Sequence, residues 1–187
     1  TQVSALRGAG YRVIVWDVRG HGASTLEPGT RFRASSVLSD LGAVLDECEL
    51  RRPVLVGHSL GGNVAQAFVR QDPERVAGII VVDSTWNAGP LSFAERLSLR
   101  IGAPALRLIP AGRLPGLMAR ASAVVPEAIE RTDAVFRRMT KAEFIDVFGA
   151  TISLVAPEPG YRSPVPLGLI RGARDQTGNI AAAMPRW

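Results

Sequence analysis

Residues 53–62, PVLVGHSLGG, constrain this chain more than any other stretch of it. An apolar β-branched run ends on a glycine, a serine follows one residue later, and a helical pattern begins at once. A strand that turns so tightly into a helix belongs to a βα unit, and such units build parallel sheets with helices on their faces. The same alternation runs through much of the chain. Residues 11–16 (YRVIVW), 54–56, 76–82 and 165–170 read as strands. Between the first two, Val37, Leu38, Leu41, Val44, Leu45 and Cys48 recur at helical spacing, so that segment lays one apolar face on the sheet. Ser35 or Ser36 is the expected N-cap. Cys48 is expected in the buried face rather than as a reactive thiol, because nothing near it in sequence would lower its pKa.

Residues 88–161 differ in character. Phe93, Leu97 and Ile101, then Val135, Phe136 and Met139, then Phe144, Val147 and Phe148 repeat at helical intervals, while prolines at 104, 110, 115 and 126 divide the segment into short pieces. The expectation is a set of short helices inserted between two strands.

Composition excludes several classes of function. The 187 residues are 47% hydrophobic and 21% charged, enough for one sizeable core. No apolar stretch reaches the roughly 20 residues of a membrane span, and the start is no signal peptide, so the expected location is cytoplasmic. Thr1 in place of methionine is read as a sign that the natural start lies earlier. A single cysteine and two histidines give neither an internal disulfide nor a cluster with metal-ligand spacing. The net charge of +5 comes from scattered arginines interleaved with acids, a solvated surface rather than a nucleic-acid or membrane footprint. No cofactor is expected, and the expected partner is a small-molecule substrate.

The chemistry concentrates at residues 57–61, G-H-S-L-G. A serine hydroxyl is a poor nucleophile unless it is held exposed, and a strand-to-helix turn does this by forcing the serine into a strained backbone conformation. Gly57 and Gly61 would let strand and helix approach. The N–H of Leu60, at the helix N-terminus, can donate to a developing oxyanion.

These residues carry a resemblance. The chain resembles the α/β-hydrolase family through GYRVIVWDVRGHGAS (10–24), the elbow VLVGHSLGG (54–62), DPERVAGIIVVDS (72–84) and VPLGLIRGARDQTG (165–178). The resemblance implies a hydrolase core formed by residues 1–87 and 162–187, with 88–161 as a helical cap over the active site. It also implies Ser59 as nucleophile, Asp175 as acid and Leu60 N–H as one oxyanion donor, in the family's order of Ser, acid and His. An N-cap for a following helix is the alternative role of Asp175. Asp83, also at a strand end, is the rival acid, or else a turn residue held by its own backbone contacts.

Neither histidine fits the base. His58 adjoins Ser59 in an elbow where neighbouring side chains diverge, and His21 lies in a glycine-rich loop that is structural in the family. The resemblance places the base on a loop beyond the acid and one further strand, hence past Trp187, and the second oxyanion donor ahead of Thr1. The expectation is an internal portion of a capped, cofactor-free serine hydrolase of carboxylic esters or related acyl substrates, inactive and poorly stable on its own. A serine at the elbow disfavours the dehalogenases and epoxide hydrolases of the family, which use a carboxylate there. A non-catalytic small-molecule receptor and a cofactor-independent oxidase or peroxidase of the same fold are the alternatives.

Overall fold

A computed structural model describes residues 2–175 and 177–187; Thr1 and Gln176 lie outside the described residues. The chain divides into two compact units, residues 1–30 and 31–187.

In the first unit, helix α1 (Gln2–Gly8) buries none of its residues. Asp17 accepts the Ala23 N–H at 2.9 Å, and an antiparallel bridge joins His21 to Ser24. The strand expected over residues 11–16 does not form. A strand exists only through its ladder, and this segment pairs with no other described segment. Tyr11 and Val15 stay 66% and 70% exposed.

The second unit contains the sheet. Strands β1 (Val54–His58), β2 (Gly78–Val82) and β3 (Leu167–Ile170) are parallel, in the order β1-β2-β3. The register pairs Val54 with Gly78 through His58 with Val82, and Ile79 with Leu167 through Val82 with Ile170. Central β2 is the most buried, as expected of a strand covered on both sides.

Helix α2 (Ala34–Glu47) buries Val37, Leu38, Leu41 and Leu45 on one stripe. Each such side chain contributes about 1.5–3 kcal/mol relative to exposure. Its N-cap is Arg33, with no side-chain cap bond, so Ser35 and Ser36 lie inside the helix rather than at its start. Phe32 and Val37, both buried, occupy the two positions of a hydrophobic staple, so apolar burial stands at this helix start where a polar cap was expected. Cys48 is half-buried rather than fully buried, because it caps the C-terminus where the helix leaves the core.

Helix α3 (Leu60–Gln71) packs against β1, β2 and α2 and buries Val64, Ala65, Phe68 and Val69. Between β2 and β3 the chain is helical: α4 (Phe93–Leu106), α5 (Leu114–Ser122), α6 (Pro126–Phe136) and α7 (Lys141–Ser153). Ser92 with Glu95 and Thr140 with Glu143 form capping boxes at α4 and α7. Pro110 separates α4 from α5, and Pro115 and Pro126 sit in the first turns of α5 and α6. Pro104 does not break the chain: it lies inside α4, where its fixed φ is already helical and only one backbone hydrogen bond is lost in the final turn. Leu106, Leu114 and Ile145 form a small core among these helices, with Phe136 edge-on to Phe144 at 5.1 Å. After β3 comes α8 (Ile180–Ala183), followed by a 3-10 turn over Met184–Arg186. No helix among the described residues is long and apolar enough to cross a membrane.

Candidate active site

Ser59 stands between β1 and α3 with φ 50° and ψ −116°, a region that residues with a Cβ rarely occupy. A backbone held there costs on the order of 1–3 kcal/mol and persists only where its surroundings over-determine it. They do so here. Ser59 N–H donates to the Val82 carbonyl at 3.0 Å, and the Ser59 carbonyl accepts from Gly62 N–H at 2.9 Å and Asn63 N–H at 3.1 Å. A third donor, the Ser84 hydroxyl, reaches the same carbonyl at 2.8 Å. The Ser59 side chain is exposed. Leu60 opens α3, so its N–H has no helical acceptor and points from the positive end of the helix dipole.

The glycines divide their work differently from the expectation. A Cβ on Gly57 would strike the Gly61 carbonyl and lie 2.5 Å from Gly62 N, so strand and helix touch there backbone to backbone. The second close approach belongs to Gly62, where a Cβ would be 2.6 Å from Ser84 Cβ. Gly61 itself faces open space, because its missing side chain points off the outer side of the first turn.

Asp83 and Asp175 converge on Gly172: a Cβ there would lie 3.6 Å from Asp83 Oδ2 and 3.8 Å from Asp175 Cβ. The two carboxylates are used differently. Asp83, at φ 40°, accepts the Gly172 N–H at 2.6 Å through Oδ1, which pins the chain leaving β3. Its side chain therefore holds a neighbouring segment rather than its own turn. The pinned Gly172 accepts the Asp175 N–H at 3.0 Å, closing a turn that presents the second carboxylate. Asp175 Oδ1 accepts the Thr177 N–H at 2.7 Å, while Oδ2 is buried and accepts no hydrogen bond among the described residues. Asp175 does not cap α8, whose N-cap is Asn179.

His58 ends β1 opposite Val82 and is exposed, with no hydrogen bond to Ser59 among the described residues. In the first unit, His21 Nδ1 hydrogen-bonds the Arg19 carbonyl at 3.1 Å.

Behind Ser59 lies a group that sequence reading missed. Asn63, Gln66, Ser84 and Asn87 are all buried. Asn63 Nδ2 donates to Thr85 Oγ1 at 2.7 Å and to Asn87 Oδ1; Asn87 Nδ2 donates to the Asn63 carbonyl at 2.8 Å. Gln66 Nε2 donates to the Thr85 carbonyl at 2.9 Å and Gln66 Oε1 accepts the Asn87 N–H at 2.8 Å. The signal was present in the sequence: Asn63, Gln66 and Arg70 fall at i, i+3 and i+7, a polar stripe on a helix otherwise fit for burial.

A cleft lies at the start of α2, between it and α4 and α7, bordered by Arg33, Arg107 and Asp146. Arg31 hydrogen-bonds Asp146 across it, Nε to Oδ2 at 2.9 Å. That bond holds the Asp146 carboxyl below the usual range; burial opposes it, and the charges of Arg31, Arg107 and Arg33 reinforce it.

The chain is similar to epoxide hydrolase B of Mycobacterium tuberculosis, 38% identical over 80 residues that make up 42% of this chain and 22% of that protein. It is also similar to a non-heme chloroperoxidase of Streptomyces lividans, 41% identical over 76 residues, 40% of this chain and 27% of that one. The matched segments thus span less than a third of these relatives. Among solved structures, a thermophilic esterase from Thermogutta terrifontis superposes with a TM-score of 0.65 at 25% identity, over 89% of this chain and 64% of the esterase. The family model for the alpha/beta hydrolase fold matches residues 2–120. A parallel sheet flanked by helices, a serine strained at the turn from β1 into α3, and that match over more than half its length together place this chain in the α/β-hydrolase fold family.

Proposed function

We propose that this chain is the elbow-bearing, capped portion of a serine hydrolase acting on carboxylic esters or related acyl compounds. The observation that carries the reading is Ser59 itself: exposed, strained, and followed by Leu60, whose N–H opens α3 with no acceptor within the helix. In this reading Ser59 Oγ attacks the acyl carbonyl carbon, and its proton passes to a histidine. The carbonyl oxygen becomes an oxyanion that Leu60 N–H stabilises, and the histidine then returns the proton to the leaving alcohol. Water repeats the sequence to release the acid. Asp175 orients the histidine, and its buried Oδ2, which accepts no hydrogen bond among the described residues, supports that role. In this reading the base is a histidine outside residues 1–187, supported by the lack of a hydrogen bond from His58 to Ser59 among the described residues. Residues 88–161 are the cap that shapes the acyl pocket. A serine rather than a carboxylate at the elbow favours an acyl substrate over an epoxide.

The test is hydrolysis of short-chain aryl esters by residues 1–187 alone, by the His21→Ala and His58→Ala variants, and by a form extended past both ends. Loss of a triad histidine costs on the order of a million-fold in turnover, so activity is expected only in the extended form. Ser59-dependent turnover by residues 1–187 that vanishes with either histidine variant would overturn this reading. The likeness to a chloroperoxidase supports a second one, in which product formation depends on halide; ester turnover indifferent to halide disposes of it.

A further inference from the structure

The buried amide group behind the elbow connects two things that a hydrolase must coordinate. One is the Ser59 carbonyl. The other is the pair of stems by which the inserted helices leave and rejoin the sheet. The outgoing stem, residues 84–88, is bound to α3 through Asn63 and Gln66. The returning stem is tied to the outgoing one, since Ala156 N–H donates to the Asn87 carbonyl at 2.8 Å and Glu158 N–H to the Ala88 carbonyl at 2.9 Å. Arg70, one helical turn beyond Gln66, donates to the Ala156 carbonyl at 3.0 Å, pairs with Glu158, and lies over the Tyr161 ring at 5.3 Å. Three residues on one face of α3 therefore grip both stems.

Ser84 is the point where this grip meets the elbow. Its Oγ lies 2.8 Å from the Ser59 carbonyl and 3.0 Å from Asn63 Oδ1. A hydroxyl carries one proton, so the two acceptors share it. The amide orientations leave no alternative donor. Asn87 Nδ2 must face the Asn63 carbonyl, which turns Asn87 Oδ1 toward Asn63 Nδ2 and leaves Asn63 Oδ1 facing Ser84. Gly62 leaves the space that Ser84 occupies, since a Cβ built there would lie 2.6 Å from Ser84 Cβ and 2.8 Å from its Oγ.

We propose that Ser84, held by the Asn63–Asn87 pair, is a positioning residue that transmits the placement of the cap stems to the backbone of Ser59. This rests on the serine-hydrolase reading. Without the Ser84 bond, the Ser59 carbonyl keeps only its two helix-start donors. The peptide can then rotate toward an unstrained conformation, moving Oγ and Leu60 N–H off the line of attack. A misplacement on the order of an ångström costs about a hundredfold in rate.

The experiment uses the extended, ester-active form. An organophosphonate that releases a chromophore counts competent Ser59 residues, and turnover is expressed per titrated site, which removes any loss of folded protein from the comparison. Ser84→Ala is expected to lower kcat per site by roughly ten- to a hundredfold with KM within about twofold. Ser84→Thr, which keeps the hydroxyl, is expected to recover most of that loss. Ser84→Cys, close in shape with a weaker donor, replaces Ser84→Ala if that variant does not fold and should fall in the same direction. A wild-type kcat per titrated site in Ser84→Ala, with only the number of sites reduced, would overturn the inference while leaving Ser59 as nucleophile. Failure of the parent protein to be titrated at all would overturn the hydrolase reading beneath it.

Discussion

Gly57→Ala and Gly61→Ala alter the two glycines that flank the serine symmetrically in sequence, and the structure assigns them opposite outcomes. At Gly57 the new methyl would sit on the Gly61 carbonyl and 2.5 Å from Gly62 N, where ordinary contact begins near 3.4 Å. No side chain is present to swing away, so the first turn of α3 must move by about an ångström. Overpacking that side chains can absorb costs about 1–3 kcal/mol, and a collision borne by backbone belongs at or above the top of that range. At Gly61 nothing lies within 4 Å of the added carbon, and the residue is helical, so alanine should gain roughly 0.5–1 kcal/mol. The two variants should therefore differ by about 3–4 kcal/mol, a large part of a typical 5–15 kcal/mol margin. Denaturant midpoints in a form that folds cooperatively measure the difference. Equal midpoints, or Gly61→Ala as the weaker of the two, would refute the claim that strand and helix touch at Gly57.

Asp175→Asn should lower ester turnover in the extended form by about four orders of magnitude, as loss of an orienting acid does in another triad. Asp83→Asn should change it little, because an amide oxygen still accepts the Gly172 N–H and asparagine tolerates a positive φ; steady-state rates that rank the two in reverse would make Asp83 the acid. Asp146 predicts an acid-range effect. Its carboxyl titrates below its unfolded value, so its contribution is present above about pH 4 and is lost as pH falls through the lower folded value. Melting temperatures of the parent and Asp146→Asn should converge as pH drops through that window, and a gap that widens on acidification would contradict the pairing with Arg31.

The β1–α3 elbow was legible because it is local: a short apolar run, G-x-S-x-G and a helical stripe occupy adjacent residues, and each element's preference agrees with the next. Strands β2 and β3 and the helical insertion were legible for the same reason. Residues 11–16 have an equally apolar pattern yet form no strand, since pairing is a property of two segments and the pattern reports only one. The work of Gly62 was invisible because its partner, Ser84, lies across a crossover. The Asn63–Asn87 pair was hidden likewise, although the polar stripe on α3 marked one side of it. Asp83 read as a turn residue because its conformation is local, whereas its bond to Gly172 spans 89 residues.

Labelling with a serine-directed organophosphonate, followed by mass mapping of the modified peptide in the extended form and its Ser59→Ala variant, asks whether Ser59 is the nucleophile. One adduct per chain is expected, on Ser59, and none in a Ser59→Ala protein whose melting temperature is unchanged. An adduct on another residue, or undiminished labelling of Ser59→Ala, would remove Ser59 from the mechanism.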